Sequence, residues 1–266
     1  MKNVILITLD ATRKDVFGIY GNNKGLSPFI DSLKDKSLIF NNCYSTGPYT
    51  QSAFPGILTS SHYLDYGRPN NSALDPRRTV ISEPLQKAGI ITAGFHSNPY
   101  CSSYFGWDRG WDKFYDSMEE DLPPRVPYIQ GPRVNEMTFN WLRSPQGGKS
   151  GKPFFLWVHY MDIHEPYNPE QKYIDMVYPE IKITQDEMAE LQQKVVLKRD
   201  VSDPKTVELL KKLYDVHVRE VDGYVKDLFE TLEKEGILKD TIVILTADHG
   251  DEFNEHGGLS HDHKGY

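Results

Sequence analysis

At 266 residues and 30.6 kDa, the chain is long enough to bury a sizeable core, as one large domain or two small ones. Charged residues make up 26% and the net charge is −8, which argues against a general affinity for nucleic acid or an anionic membrane surface. No apolar segment approaches membrane-spanning length, and Cys43 and Cys101 are too few for a disulfide framework and match no metal-ligand spacing, so a soluble, cytoplasmic protein is expected.

The first predicted element is a strand, Asn3-Val-Ile-Leu-Ile-Thr-Leu9, with Asp10 at its end. Its apolar run is short and stops at a candidate ligand, so a cleavable signal peptide is not expected. By itself Asp10 serves equally well as a ligand or as the cap of a following helix. A helix is expected over residues 28–36, a short strand over 38–41 and a loop over 43–49. A further helix, 81–88, leads through Gly89 into a strand over 90–95. After a proline-rich passage (Pro123, Pro124, Pro127, Pro132) come a helix over 134–142, an exposed connection from Ser144 to Pro153, and a buried strand over 154–160. Residues 169–212 are charged, helical and poor in large apolar side chains. There Thr184-Gln-Asp-Glu187 is a capping box, and Ser202-Asp-Pro204 opens a long helix that stops at Gly236. The stripe Leu209, Leu213, Val216, Val221, Val225, Leu228 and Leu232 reads as core packing. The last apolar run, Thr241-Ile-Val-Ile-Leu245, reads as a buried strand. Strands alternating with helices predict a doubly wound sheet with helices on both faces.

This last strand delivers Asp248 and His249 to its carboxyl end, where open α/β sheets place their ligands. Residues 246–263 hold four of the nine histidines and five acids. For Asp262 and His263 a solvated tail is the simpler reading. Asp248-His249 at a strand end points instead to a hydrolytic metal site, and Asp10 would join it if the two strands are sheet neighbours. Aspartate with histidine suits a single Mn²⁺ or Zn²⁺ better than Ca²⁺, which prefers all-oxygen shells but stays a candidate.

With these segments in view, the chain resembles the sulfatase family of the alkaline phosphatase superfamily over essentially its whole length. The resemblance rests on Asn3-Val-Ile-Leu-Ile-Thr-Leu-Asp10-Ala-Thr-Arg13, Ser27-Pro-Phe-Ile-Asp-Ser-Leu33, Pro48-Tyr-Thr50 running on to Ile57-Leu-Thr-Ser60, His159-Tyr-Met-Asp162-Ile-His164-Glu-Pro-Tyr167, and Val243-Ile-Leu-Thr-Ala-Asp248-His249-Gly250. It implies a three-layer αβα sandwich with a mostly parallel central sheet, forming one catalytic domain over 1–266, with 169–212 as a helical insertion or lid. The resemblance also implies a further strand and a carboxyl-terminal subdomain beyond Tyr266, so the chain is expected to be either a fragment or an unusually short version. The family pattern places the nucleophile at Thr50 and adds it to Asp10, Asp248 and His249 around the metal. It also sets His164 against the ester or its leaving oxygen and Asn71 against the substrate. His256 and His261 match its later histidines, either of them a general acid or second ligand, with His261 ranked first.

Departures from the pattern are informative. Sulfatases carry a Cys or Ser that becomes formylglycine, followed by Pro and Arg, whereas this chain reads Thr50-Gln-Ser-Ala-Phe54. Ala11 stands where a second acid is common, and Gly94-Phe-His96-Ser-Asn-Pro-Tyr100 replaces a segment that carries Lys and His. Asn71 lacks the preceding Arg. A threonine nucleophile is what phosphodiesterases and phosphoglycerol transferases of the superfamily use, and it needs a metal or base to activate it. The leading expectation is therefore a metal-dependent hydrolase or phosphotransferase acting on a small anionic ester, a phosphodiester above all. A sulfatase without formylglycine and an inactive metal-binding homologue are the alternatives. Oligomeric state is left open.

Overall fold

The computed structural model describes residues 2–66, 73–123 and 126–261. Five parallel strands form the central sheet: β1 (Asn3–Leu9), β2 (Ile91–His96), β3 (Lys113–Tyr115), β4 (Phe154–Tyr160) and β5 (Thr241–Ala247), in the order β3-β2-β4-β1-β5. A hairpin of β6 (Glu252–Phe253) and β7 (Leu259–Ser260) follows β5. The helices are α1 (Pro28–Ser32), α2 (Thr50–Thr59), α3 (Ser82–Lys87), α4 (Gly131–Leu142), α5 (Gln171–Val177), α6 (Gln185–Leu191) and α7 (Pro204–Lys234).

Side chains of a strand alternate between faces, and this splits the core in two. Ile5, Ile7 and Leu9 of β1, with Phe154, Leu156, Val158 and Tyr160 of β4, pack against a layer containing Val134, Leu213, Val216, Val221, Val225 and Leu228 of α4 and α7. Leu6 and, from β4, Phe155 and Trp157 pack on the other side with Phe54 and Leu58 of α2 and with Trp107 and Trp111. The three-layer αβα arrangement predicted from the alternating elements is therefore present. Capping also follows the prediction. The Thr184 side chain accepts from Glu187 N at 3.2 Å, and Asp203 caps α7, with Pro204 as its first residue. Most of the predicted stripe, from Leu213 to Leu232, is buried.

Two expectations are corrected. Residues 38–41 form no strand: Leu38 is 90% exposed and Phe40 70% exposed, so this run has no sheet or core to join. The run in β5 is half buried only. Val243 and Leu245 pack on the core, while Ile242 and Ile244 stay exposed on β5, which ends the sheet among the described residues. No helix among the described residues is long and apolar enough to cross a membrane.

Candidate active site

Strand register sets the site. Leu9 pairs with both Ala247 and Tyr160, so Asp10 and Asp248 leave neighbouring parallel strands at the same level, next to the end of β4. Thr8, Asp10 and His159 belong to the face on which α2 packs. Phe54, fully buried, anchors that helix with edge contacts to Trp157 and His159 at 5.6 and 5.2 Å between ring centroids. Thr50 lies one turn before Phe54 on the same helix face and is thereby carried to the strand ends. It does not cap the helix. Tyr49 is the residue before the first turn, and Ser52 Oγ accepts weakly from its N–H at 3.4 Å while donating to its carbonyl at 2.8 Å. The Thr50 hydroxyl instead lies 3.3 Å from Asp248 Oδ2.

Around this centre most polar atoms have a partner. Asp10 Oδ2 accepts from Asn98 Nδ2 at 2.6 Å and His159 Nε2 at 3.2 Å. The His159 tautomer follows from a chain behind it: Trp157 Nε1 donates to Thr8 Oγ1 at 2.9 Å, leaving the Thr8 hydroxyl to donate to His159 Nδ1 at 2.7 Å. Asp248 Oδ1 accepts from Ala11 N at 3.2 Å and His249 N at 2.8 Å. Ala11 adopts a left-handed conformation (φ 51°), the kind of strain found where structure is over-determined near a site.

Within this centre, Asp10 Oδ1 and His249 Nε2 are buried atoms that have no hydrogen-bond partner among the described residues, and they face each other at 3.5 Å. His249 Nδ1 lies 3.2 Å from the Gly250 carbonyl, so a neutral ring that donates there carries its lone pair on Nε2. Asp248 Oδ2 lies 3.6 Å from that nitrogen. An open carboxylate oxygen, an imidazole lone pair, a second carboxylate and a threonine hydroxyl thus converge, each held from behind, as residues around a divalent cation require. The electrostatics agree. Burial opposes charge on Asp10, but the His159 hydrogen bond and the His164 and His249 charges hold its carboxyl well below the usual range. Asp248 is pushed up by burial and by the Asp10 charge, and His249 is pushed up because both acids outweigh its burial. A cation would relieve the repulsion between the two carboxylates.

A second group borders the first. His164 Nε2 and His261 Nε2 approach to 3.3 Å, and His261 Nδ1 pairs with the buried Asp251 at 2.8 Å. The other oxygen of Asp251 accepts from Tyr167 OH at 2.7 Å. Burial opposes the Asp251 charge, yet His261 keeps that carboxyl below its usual range. A cleft of about 220 Å³ opens over both groups, lined by Thr50, Asn98, Tyr100, Tyr128, His164 and His261 among others.

Of the predicted site residues, Asp10, Thr50, Asp248 and His249 come together, and His164 and His261 stand beside them. His256 does not join them. It lies in the exposed turn between β6 and β7, where the Asn254–Gly258 backbone bond closes the hairpin and the His256 ring is 4.0 Å from Glu252. Asn71 falls outside the described residues. Asp162 has a structural partner: both its oxygens receive Gly131 N, at 2.9 and 3.0 Å, at the start of α4. Asn98, His159, Asp251 and Tyr167 were not singled out from sequence. Their signal is position: Asn98 follows β2, His159 and Tyr167 begin and end the motif that contains His164, and Asp251 follows Gly250. His96 is packing. Burial, and next the His159 charge, pull its ring down to about 3, and it stacks on Trp157 at 5.4 Å.

A family model described as Sulfatase matches residues 2–266, and the chain belongs to that family. It is 24% identical to the multifunctional alkaline phosphatase superfamily protein PehA of Trinickia caryophylli, over 96% of this chain and 64% of that protein. It is 28% identical to the choline-sulfatase of Rhizobium meliloti, over 96% of this chain and 58% of that protein. The chain thus spans less than two thirds of the length of these curated relatives. In fold it is similar to the phosphonate monoester hydrolase of Agrobacterium radiobacter, with a TM-score of 0.77 and 16% identity, covering 100% of this chain and 66% of that one. It is also similar to the C-terminal periplasmic domain of EcEptC from Escherichia coli in complex with Zn, with a TM-score of 0.70 and 16% identity, covering 98% and 68%.

Proposed function

Within the sulfatase family, we propose that this chain carries the catalytic machinery of a metal-dependent ester hydrolase that acts on phosphodiesters, or transfers a phosphoryl group, through Thr50. The observation that carries this reading is the Thr50 hydroxyl 3.3 Å from Asp248 Oδ2, at the first turn of α2 and beside the unpartnered Asp10 Oδ1 and His249 Nε2. Asp10, Thr50, Asp248 and His249 would hold a Mn²⁺ or Zn²⁺ ion. When bound, such an ion lowers the pKa of the hydroxyl and draws charge from the ester oxygens.

The chain's own residues supply the rest. The N-terminus of α2 favours an anion over Thr50. Thr50 Oγ1 forms a bond to phosphorus as the bond to the leaving oxygen breaks, and the hydroxyl proton passes to Asp248. The leaving alkoxide takes its proton from the His164–His261 pair. His164 Nδ1 faces the Glu165 carbonyl at 2.7 Å and His261 Nδ1 faces Asp251, so both Nε2 atoms turn to one another and can share one proton. Water then displaces Thr50 Oγ1, which takes its proton back from Asp248, and the water gives its own proton to the same pair. Threonine chemistry suits phosphate over sulfate, because a sulfated threonine has no aldehyde-forming exit of the kind formylglycine offers.

A panel of aryl phosphodiester, aryl phosphate and aryl sulfate substrates with added Mn²⁺ or Zn²⁺ tests this reading. Phosphodiesterase activity should dominate, be lost in Thr50→Ala and be partly kept in Thr50→Ser. Mass spectrometry of protein quenched during turnover should find phosphate on the Thr50 peptide. Dominant arylsulfatase activity that survives Thr50→Ala would overturn both the nucleophile and the substrate class.

A further inference from the structure

Building on Thr50 as the nucleophile, we propose that Asn98 is its positioning residue, fixing which way the hydroxyl proton points and which lone pair faces the ester. Asn98 follows β2 by two residues and is 1% exposed. Its Oδ1 accepts from Tyr100 N at 2.9 Å, capping the turn Pro99–Cys101. A flipped amide would set two donors against each other there, so the Tyr100 contact decides which end is nitrogen. The amide nitrogen therefore points inward and uses its two hydrogens separately, on Asp10 Oδ2 at 2.6 Å and on Thr50 Oγ1 at 3.1 Å.

The consequence lies on Thr50. A hydroxyl has one hydrogen and two lone pairs. With one lone pair accepting from Asn98, the hydrogen is directed to Asp248 Oδ2 at 3.3 Å, and the second lone pair is left without a partner among the described residues. In the step this serves, Oγ1 bonds to phosphorus, the proton moves to Asp248, and the leaving alkoxide departs with its electron pair. Asn98 also occupies Oδ2 of Asp10, which leaves Oδ1 as that carboxylate's open atom.

The test uses the full chain with Mn²⁺ and bis(4-nitrophenyl) phosphate. Asn98→Asp keeps the Oδ1 contact to Tyr100 and is as good a cap, but it turns the inward donor into an acceptor. If capping were its whole role, Asn98→Asp would retain activity and Asn98→Ala would not. Positioning requires both to lose roughly 10²–10³-fold in kcat with KM within about threefold, the scale of removing one preorganised donor. In a double-mutant cycle read on the residual turnover above the uncatalysed rate that remains in Thr50→Ala, Asn98→Ala should cost nothing further. If Asn98→Asp does not fold, that cycle decides alone. Activity in Asn98→Asp above a tenth of the parent, or a raised KM at unchanged kcat, or additive losses in the cycle, would overturn the assignment. Full activity in Thr50→Ala would sink the nucleophile reading instead, and a dead Thr50→Ala beside an active Asn98→Ala would sink the Asn98 assignment alone.

Discussion

Asp162→Asn should make the protein more stable at pH 8 and leave it nearly unchanged at pH 4. Asp162 lies just past β4, 3% exposed, with both oxygens on Gly131 N at the start of α4. Burial, reinforced by the charge of Glu220, pushes its carboxyl up to about 7. The folded pKa is thus above the unfolded one. Between pH 4 and 7 the native state keeps a proton that the unfolded chain has released, so this group makes stability fall as pH rises through that window. A displacement of about three pK units corresponds to about 4 kcal/mol at 1.36 kcal/mol each. Asparagine can still accept from Gly131 N but has no charge to desolvate, so it removes this dependence. Urea unfolding in EDTA at half-unit steps from pH 4.5 to 8 measures it. The difference in stability between variant and parent should grow with pH and level off above 7, when it should reach several kcal/mol, a shift of roughly 10 °C for a domain of this size. A difference that does not change with pH, or a parent more stable than the variant at pH 8, would refute the argument.

A divalent ion at 100 times its Kd should stabilise the parent by about 2.7 kcal/mol, and calorimetry should find that shift missing in Asp248→Asn and His249→Ala. Equal shifts in parent and variants would place the ion elsewhere. Without metal, Asp248→Asn should melt above the parent, because it ends the repulsion between two buried carboxylates; a lower melting temperature in EDTA would contradict the electrostatics drawn for Asp10 and Asp248. Phe54→Ala removes a fully buried ring held between Trp107, Trp157 and His159, so denaturant titration should show a loss of about 3–5 kcal/mol. A loss below 1 kcal/mol would mean that α2 is anchored by other contacts.

Much of this was legible in the chain itself wherever the determinant is local. The apolar runs ending at Asp10 and at Asp248-His249, the Thr184–Glu187 capping box and the start of α7 at Pro204 each depend on residues within one or two turns of each other. That Asp10 lies beside Asp248 depends on β1 and β5 pairing with Leu9 opposite Ala247, a contact across more than two hundred residues that no local pattern encodes. Asn98 and His159 illustrate the same limit, since an asparagine after one strand and a histidine inside another gain meaning once both reach Asp10 Oδ2. His256 and His261 look alike in sequence, yet a hairpin turn exposes the first and brings the second within 3.3 Å of His164. Apolar runs are ambiguous for a related reason. Residues 38–41 and the outer face of β5 have strand-like composition, but burial is a property of what packs opposite, and only the tertiary structure decides whether anything does.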